Sequence, residues 1–470
     1  MASGEVIFWE YCFEEVKEVK KKSNWLIMLA WSLLVALACN GQALAVEYTW
    51  EDLCRIALER SEKIKIMEDN VSIARTGKDK KMSALMPKLT AYGSHTDWTE
   101  SKYSPSTPFT PTIVVPGTVI QPNSGTAWGV RLDQSITLNG KEITDFSISK
   151  DNIERQQNET NAQKEEYLMI VSAAYYEMLR GQKVLEIANA TVERLTAYRK
   201  AAENRLKVGE VTKTVLLRAD GELSGALSDQ IKAKNALDLS RAVLARIVGI
   251  SDDFTLKENF LEDAPLPPLD SYVTMGLAQR AEMKAIEIEK QMAKDQIRVA
   301  KGGYWPILSI SGVYGRMDQD PVPSTINRES AYGQVALNYP FFEGGLRRAE
   351  VREAVIRDRQ AGLKMEDLKK TIRIEVETTY LELKNQRGII KSLEDQLLFA
   401  QENYKAVTRQ FEMGLANSID VMDANTLLVS TERQLTTAVY SHQVFKFRMK
   451  RATGVLLTEF AGNAPAAKAP

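Results

Sequence analysis

Hydrophobic positions recur every seven residues in the second half of the chain, at Leu383, Ile390, Leu397, Tyr404 and Phe411. The first half carries a similar repeat, interrupted at Arg199, at Met178, Leu185, Val192 and Leu206. A seven-residue repeat is typical of helices that pack knobs-into-holes on a neighbour with a left-handed supercoil. Each half is therefore expected to contain a long helix packed along others.

The placement of proline predicts where these helices end. No proline occurs between Pro122 and Pro265 or between Pro340 and Pro465, and both stretches are rich in helix-forming residues. We expect each stretch to form a long helix, a reversal at a glycine and a returning helix. The expected long helices are 142–208 and 346–413, and the returning helices end near Val248 and Gly454. At 1.5 Å per residue, each long helix would reach about 100 Å.

The two halves repeat one structural unit. Gly209 and Gly414 are 205 residues apart, and Pro87 and Pro306 are 219 residues apart. Each half also contains a shorter helical stretch, expected at 50–85 and at 271–303. The predicted divisions are a secretory signal peptide at 1–45, a first repeat at 46–263, a Pro-rich seam at 264–270, a second repeat at 271–456 and an Ala/Pro-rich tail at 457–470.

Four segments with alternating apolar and polar residues lie between the helices, beginning near Lys88, Ala127, Ile307 and Ala331. Such alternation over about ten residues is typical of a membrane β-barrel strand, although half-buried strands of soluble sheets share it. The segments come in two pairs joined by polar or Pro-rich loops, which favours the membrane interpretation. The residues expected to face lipid are Trp128, Val130, Leu132, Val335, Leu337 and Tyr339.

Four strands cannot close a barrel, because both outer strands would keep unpaired backbone edges that a bilayer does not tolerate. Closure therefore requires several copies of the chain. Two copies would supply eight strands and three would supply twelve.

The first 45 residues have the features of an export signal. Lys20, Lys21 and Lys22 precede an apolar run at 25–38, and the small-residue site Ala43-Leu44-Ala45 follows. The run is shorter than the roughly 20 residues of a membrane-spanning helix. Cys39 lies in a context that fits a lipoprotein site poorly. We expect the chain to be exported and cleaved after Ala45.

Composition argues against catalysis and against nucleic-acid binding. The chain has 61 Lys+Arg and 62 Asp+Glu, whereas a nucleic-acid-binding protein would show a basic excess. Two histidines and three cysteines provide no set spaced for zinc, for a disulfide framework or for a Cys/His pair. We therefore predict no enzyme, no metal site and no cofactor.

Two motifs carry a resemblance to a known family. One is the second reversal, where Phe411-x-Met413-Gly414-Leu415 is followed by Ile419-Asp420-Val421-x-Asp423. The other is the entry to the second long helix, from Tyr332-Gly333 to Gly344-Gly345. The chain resembles the TolC-like outer-membrane efflux proteins over residues 47–456.

The resemblance implies a mainly α fold with a membrane β-barrel, built from long antiparallel coiled-coil helices and four strands per chain. It implies a homotrimer with a 12-strand barrel and a 12-helix tunnel, located in the outer membrane and extending into the periplasm. The implied function is the exit duct of a tripartite efflux or type I secretion system. The implied partners are a periplasmic adaptor protein, an inner-membrane transporter and outer-membrane lipid.

The resemblance also implies roles for particular residues. Asp420 and Asp423 match the family's acidic ring at the periplasmic gate, although carboxylates at a helix start are also favoured by the helix dipole alone. The first reversal has Val215 and Arg218 at the corresponding positions, so it cannot add to such a ring. The implied adaptor-docking turns are Val208-Gly209-Glu210 and Met413-Gly414-Leu415.

Two other functions are compatible with the pattern. A periplasmic coiled-coil scaffold with a small soluble sheet would also show long heptad helices. A porin-like uptake channel would have the strands but would not need helices of about 100 Å.

Overall fold

The computed structural model of the protein describes residues 46–110, 112–115, 117–251, 253–263, 265–323 and 327–463. The predicted signal peptide with Cys39, residue 264 of the seam and residues 464–470 of the tail lie outside these ranges. The chain divides into a small unit, Met1–Trp50 with Ser251–Asn259, and a large unit, Glu51–Ile250 with Phe260–Pro470.

Most of the described residues are helical. The helices are α1 Trp50–Arg60, α2 Glu62–Ser83, α3 Lys141–Lys207, α4 Lys213–Val248, α5 Leu269–Gln279, α6 Ala281–Gly302, α7 Leu346–Glu412, α8 Ser418–Ala452 and α9 Leu456–Asn463. The strands are β1 Val46–Tyr48, β2 Lys88–Asp97, β3 Lys102–Tyr103, β4 Thr107–Thr110, β5 Ile113–Val115, β6 Val119–Gln121, β7 Ser124–Thr137, β8 Phe254–Leu256, β9 Ile307–Asp320 and β10 Glu329–Asn338.

In the small unit, β1 and β8 form a parallel two-stranded sheet in which Val46 pairs with Phe254. The rings of Tyr48 and Phe254 meet edge to face with centroids 6.2 Å apart. This aromatic contact stabilises a strand pair that is short on its own.

The two long helices of the large unit are confirmed. Both α3 and α7 contain 67 residues, and their ends agree with the predicted ends to within one residue. Each begins directly after a glycine with positive φ, Gly140 at 72° and Gly345 at 88°. Glycine adopts this left-handed conformation at little cost, so the chain can turn sharply from a strand into a helix.

The helical stretches predicted at 50–85 and at 271–303 are helical, but each consists of two helices with a break between them. The breaks lie at Ser61, with ψ of 123°, and at Arg280, with ψ of 133°. These residues are 219 apart, the same separation as Pro87 and Pro306. The break is therefore a property of the repeat. At Arg280 it directs a buried guanidinium toward neighbouring helices, a tertiary requirement that helix propensity does not register.

The four predicted strands are confirmed as one antiparallel sheet in the order β10-β9-β7-β2. The first strand begins at Lys88 and the third at Ile307, as predicted, and the other two begin slightly earlier than predicted. The loop between β2 and β7 contains two small nested hairpins, β3 with β6 and β4 with β5. This nesting explains why the loop is longer than a simple hairpin requires.

The helices of the large unit pack in a fixed order. Near the helix reversals α4 packs on α3, α3 on α8 and α8 on α7, whereas near the sheet the order is α2, α3, α6 and α7. Each long helix thus packs against one short helix of its own repeat near the reversal and against another near the sheet. No helix in the described ranges has the length and hydropathy of a membrane span. Helix α9 occupies the start of the predicted tail.

Candidate docking turns and gate

The two helix reversals have the same backbone geometry. Gly209 and Gly414 have φ of 80° and 78°, in the left-handed region. Gly209 N donates to Leu206 O at 3.0 Å, and Gly414 N donates to Phe411 O at 2.9 Å. These bonds satisfy carbonyl groups at the helix ends, as in a Schellman motif. The predicted glycine reversals are thus confirmed in position and conformation.

The tips of both turns expose large apolar side chains. Val208 and Met413 are each 70% exposed, and Leu415 is 78% exposed. Such side chains gain free energy when a partner covers them, by roughly 25 cal/mol per Å² of apolar surface. Glu210 is exposed as well, although its carboxylate is bonded within the chain. The six residues predicted to dock a partner therefore lie on the accessible ends of the helix pairs.

A side chain that the sequence analysis missed links the two turns. Arg205, in the last turn of α3, donates from Nη1 to Phe411 O at 2.6 Å and from Nε to Glu210 Oε2 at 3.0 Å. Its guanidinium also lies 4.8 Å from the centroid of the Phe411 ring. Residues that are 206 apart in sequence are thus in contact. Heptad spacing gives no signal for a contact of this kind.

An apolar cluster lies behind the turns and holds four helix ends together. The rings of Tyr198 on α3 and Phe411 on α7 have centroids 5.2 Å apart. Val421 and Met422 on α8 and Ala219 on α4 complete the buried contact. Burial raises the pKa of the Tyr198 phenol. The cluster supports the turns from behind, so that their tips are presented by packed helices.

The two predicted gate residues lie one helical turn apart at the exposed start of α8. Asn417 caps this helix, because its Oδ1 accepts from Ile419 N and Asp420 N at 2.7 and 3.0 Å. Asp420 returns a bond through its Oδ2, which accepts from Asn417 N at 3.0 Å and completes a capping box. Capping therefore accounts for Asp420. Asp423 takes no part in the cap, so its exposed carboxylate is not explained by helix capping.

Strand register puts five of the predicted lipid-facing residues on one face of the sheet. Val130 on β7 pairs with Tyr314 on β9, and Val335 on β10 pairs with Ile310 on β9. Alternate residues of a strand share a face. The apolar side chains on this face are Leu89, Trp128, Val130, Leu132, Ile136, Leu308, Ile310, Tyr314, Val335 and Leu337. Tyr339, the sixth residue, is exposed just after the end of β10.

The opposite face of the sheet is mainly polar, although it also carries the apolar or aromatic residues Tyr92, Ile307, Val313, Met317 and Tyr332. It carries Thr90, Ser94, Thr96, Arg131, Asp133, Ser309, Ser311, Gln334 and Asn338. Arg131 and Asp133 form an ion pair on this face with an N–O distance of 2.8 Å. The face with Trp128 and Val335 is mainly apolar in the part of the sheet near the helices. Toward the loops the same face carries charged side chains and a histidine, which are His95, Asp97, Arg316, Asp318 and Glu329.

A cluster of charges around the buried Arg280, at the break between α5 and α6, was also missed. Arg280 donates to Glu375 on α7 at 2.6 Å and to Glu282 on α6 at 3.0 Å. Arg451 on α8 bonds the same two carboxylates. In a helix sequence these charges look like an ordinary solvated face, so only tertiary structure reveals them.

Glu165 on α3 borders this charge cluster and is buried. Burial and the nearby Glu282 carboxylate raise its pKa to about 7, against the opposing effect of a bond from the backbone of Leu457. The cluster thus has beside it a buried carboxyl group whose pKa is raised to about 7.

No group of residues in the described part of the chain could hold a metal ion. The large unit instead combines a sheet that has one mainly apolar and one mainly polar face with two helices of 67 residues. Exposed turns lie at the far ends of these helices. Together they describe a two-faced sheet joined to a long helical extension, an arrangement that suits a protein anchored at a membrane.

Comparison with known proteins gives the family. The sequence profile of the outer membrane efflux protein family matches residues 53–250 and 273–455. The chain belongs to this family. It is therefore an exit duct of the outer membrane with a periplasmic extension, as the resemblance implied. The family consists of ducts rather than enzymes, and membership favours the duct over the scaffold and the uptake channel.

Relatives agree in sequence and in fold. Outer membrane protein TolC of Vibrio cholerae serotype O1 is 23% identical over 320 residues, covering 66% of this chain and 73% of that protein. Outer membrane efflux protein BepC of Brucella suis biovar 1 is 21% identical over 399 residues, covering 85% and 82%. A crystal structure of CusC matches with a TM-score of 0.75 at 17% identity, covering 87% of this chain and 93% of that one. At 17% identity, the match to this structure shows that the two chains share a fold.

Proposed function

We propose that three copies of this chain form one duct, which a periplasmic adaptor connects to an inner-membrane transporter for efflux or type I secretion. The proposal rests on one observation. The sheet has unpaired strand edges, and the helix layer has exposed apolar faces, at the same two sides of the chain. Each side of one copy is complementary to the opposite side of the next.

In the sheet, β2 and β10 are the outer strands, and all ten residues of each are exposed. Each therefore presents an unpaired backbone edge, which is costly inside a bilayer. Pairing β2 of one copy with β10 of the next would satisfy both edges and close a barrel.

In the helix layer, α4 and α7 are the outer helices near the reversals, and both expose apolar side chains. On α4 these are Leu217, Leu227, Ile231, Leu239 and Val243, and on α7 they are Ile374, Leu381, Ile389, Leu398 and Phe399. Packing α7 of one copy on α4 of the next would bury both sets. Such head-to-tail contacts form a ring when the rotation between copies closes, and closure of the barrel requires that it does.

The size of a barrel favours three copies over two. Eight strands leave an interior just wide enough to be filled by side chains, whereas a larger barrel encloses an aqueous passage. A duct needs that passage, so twelve strands fit the function and eight do not. In this arrangement the apolar sheet face, with Trp128, Val130, Leu132, Val335, Leu337 and Tyr339, contacts outer-membrane lipid.

At the periplasmic end we assign adaptor docking to the turns Val208-Gly209-Glu210 and Met413-Gly414-Leu415. The exposed apolar tips and their packed support favour this role. We assign the gate to Asp420 and Asp423, because three copies would bring six carboxylates around one axis, and such rings favour cations. Of the two, Asp423 is the stronger candidate, since Asp420 also caps α8.

The test is fractionation of membranes followed by sizing in mild detergent. An outer-membrane trimer that resists carbonate washing is the expected result. A carbonate-soluble periplasmic species would instead favour the scaffold, and a dimer would contradict the twelve-strand barrel.

A further inference from the structure

A cavity of about 560 Å³ lies between the helices α3, α4 and α8 of one chain. Its volume falls in the range of small-molecule sites in proteins. The buried residues Ala188 and Leu195 of α3 form an apolar wall of the cavity. On α4, a Cβ at Gly225 would meet no atom within 4 Å, so the space extends over the backbone of that helix. The cavity is therefore large enough for a small ligand with an apolar part.

Asn425 of α8 supplies the cavity with an unused hydrogen-bond acceptor. This residue lines the cavity and is only 7% exposed. Its Oδ1 has no hydrogen-bond partner in the described part of the chain. A buried polar atom without a partner destabilises the folded state, so such atoms are rare in proteins. A ligand in the cavity can supply the missing donor.

Glu222 of α4 supplies an unbalanced negative charge. The charged residues that line the cavity are Glu222, Asp229 and Arg433. Arg433 forms an ion pair with Asp229 at 3.2 Å, and Lys232 forms a second ion pair with the same carboxylate. Within the described ranges, Glu222 has no ion-pair partner. The lining thus carries two carboxylates and one guanidinium, and the carboxylate that is left over is that of Glu222.

We propose that this cavity is a binding site for small organic ammonium ions that carry an apolar group. An ammonium group has three N–H donors and no acceptor, so it can donate to the Glu222 carboxylate and to Asn425 Oδ1 together. The apolar group of the ligand covers Ala188 and Leu195 and gains free energy by leaving water. An anion of the same size would face the Glu222 carboxylate and leave Asn425 Oδ1 without a donor.

The cavity opens on the face of α8 that carries Asp423. Thr426, Ser430 and Gln434 follow Asp423 at intervals of three or four residues and line the cavity. Residues at this spacing share one face of a helix. Where Asp423 lines the duct, amines in passage therefore reach the cavity. This location rests on the proposed function, whereas binding itself requires only three helices of one chain.

The test measures binding to the purified full chain by fluorine NMR with three probes that share one ring. The probes are 4-fluorobenzylamine, which is a cation at neutral pH, the neutral 4-fluorobenzyl alcohol and the anion 4-fluorobenzoate. The amine is expected to bind at least about tenfold more tightly than the alcohol, because a hydrogen bond to a charged group is stronger than a neutral one. The benzoate is expected to bind more weakly still. Absence of amine binding, or equal binding of either analogue, would overturn the proposal.

Two substitutions with matched controls locate the bound amine. Glu222→Gln should weaken its binding about tenfold or more, whereas Glu193→Gln, at an exposed carboxylate of α3 outside the cavity, should not. Gly225→Leu should abolish binding, because the new side chain fills the cavity while leucine is a better helix former than glycine. Gly221→Leu, one turn earlier and equally open, should retain it. Binding that persists in Gly225→Leu would place the amine elsewhere and overturn the proposal.

Asn425→Leu separates binding from stability. Leucine is of similar size and removes the buried unpaired oxygen, so the variant should lose amine binding and unfold at a higher temperature by circular dichroism. Unchanged binding, or a lower unfolding temperature, would overturn the role given to Asn425. None of these measurements depends on the number of copies or on an adaptor. A failure to form trimers would therefore count against the proposed function, and a failure to select the amine would count against the cavity.

Discussion

The guanidinium of Arg280 and the carboxylate of Glu375 are joined by a hydrogen bond of 2.6 Å, and only 4% of the Arg280 side chain is exposed. The pair connects the break between α5 and α6 to the long helix α7. Gly454, after α8, packs against the same break, and a Cβ there would lie 2.8 Å from the backbone of Arg280. Helix α7 and the end of α8 thus both contact the residue that separates α5 from α6.

Removal of the Arg280 cation should therefore be costly. In Arg280→Met the carboxylates of Glu375 and Glu282 lose a buried partner, and loss of one member of a buried pair typically costs about 3–5 kcal/mol. We expect a lower unfolding temperature by circular dichroism. Glu353→Gln breaks the exposed Arg357–Glu353 pair on α7 and serves as control, with an expected change under about 1 kcal/mol. Equal changes in both variants would contradict a buried structural role.

Stability should also depend on pH through Glu165. Its pKa is raised to about 7, above the usual 4.5, so the folded state binds the proton more tightly than the unfolded state does. This contribution favours folding at low pH and is lost as the pH rises from about 4.5 through 7. In Glu165→Gln the decline should be smaller, with a gain over the parent at pH 8 of roughly 2–3 kcal/mol. Parallel pH profiles of denaturant unfolding in both proteins would refute the assignment.

The residues of these two predictions illustrate what the sequence could not reveal. The long helices were predictable because proline is absent and glycine marks each reversal, both of which are local signals. The break at Arg280 was not, because the residue that Arg280 contacts there, Glu375, lies 95 residues away in the sequence. Arg205 was missed for the same reason. Asp420 and Asp423 match a motif in the sequence, but which of them caps α8 depends on the backbone conformation at Asn417.

Docking should be sensitive to the left-handed glycine of the second turn. Gly414 has φ of 78°, which a β-branched residue adopts only with strain, whereas asparagine tolerates it. Gly414→Val should therefore weaken crosslinking to the adaptor while leaving assembly in the membrane intact, because the sheet is about 100 Å away along α7. Gly414→Asn is the matched control and should retain most of the crosslinking. Undiminished crosslinking in Gly414→Val would count against docking at this turn.

The two faces of the sheet should respond differently to charge. Val335 lies on the apolar face and its neighbour Gln334 on the polar face of the same strand. A lysine facing lipid costs about 2–4 kcal/mol near the midplane of a bilayer. Val335→Lys should thus lower the yield of membrane trimers in a heat-modifiability assay, whereas Gln334→Lys should not. If both substitutions reduce the yield equally, the apolar face does not contact lipid.

The gate assignment can be tested by substituting the two carboxylates at the start of α8, first together and then one at a time. If three copies gather Asp420 and Asp423 at the closed end, like charges repel by about 1 kcal/mol per pair at 4 Å in water and more where water is scarce. Divalent cations should then bind there and reduce conductance in planar bilayers. Replacement of both residues by alanine should abolish that block and leave the open-state conductance nearly unchanged.

Single substitutions distinguish the gate from the cap. Asp420→Asn should weaken the capping box with Asn417, at a cost of about 0.5–2 kcal/mol in stability. Asp423→Asn removes a carboxylate that the cap does not use, so it should reduce the divalent block with little effect on stability. A block that survives the double substitution would mean that the acidic ring is absent. The constriction would then be set by other residues near the turns, with Arg218, the counterpart of Asp423 in the first repeat, as the next residue to substitute.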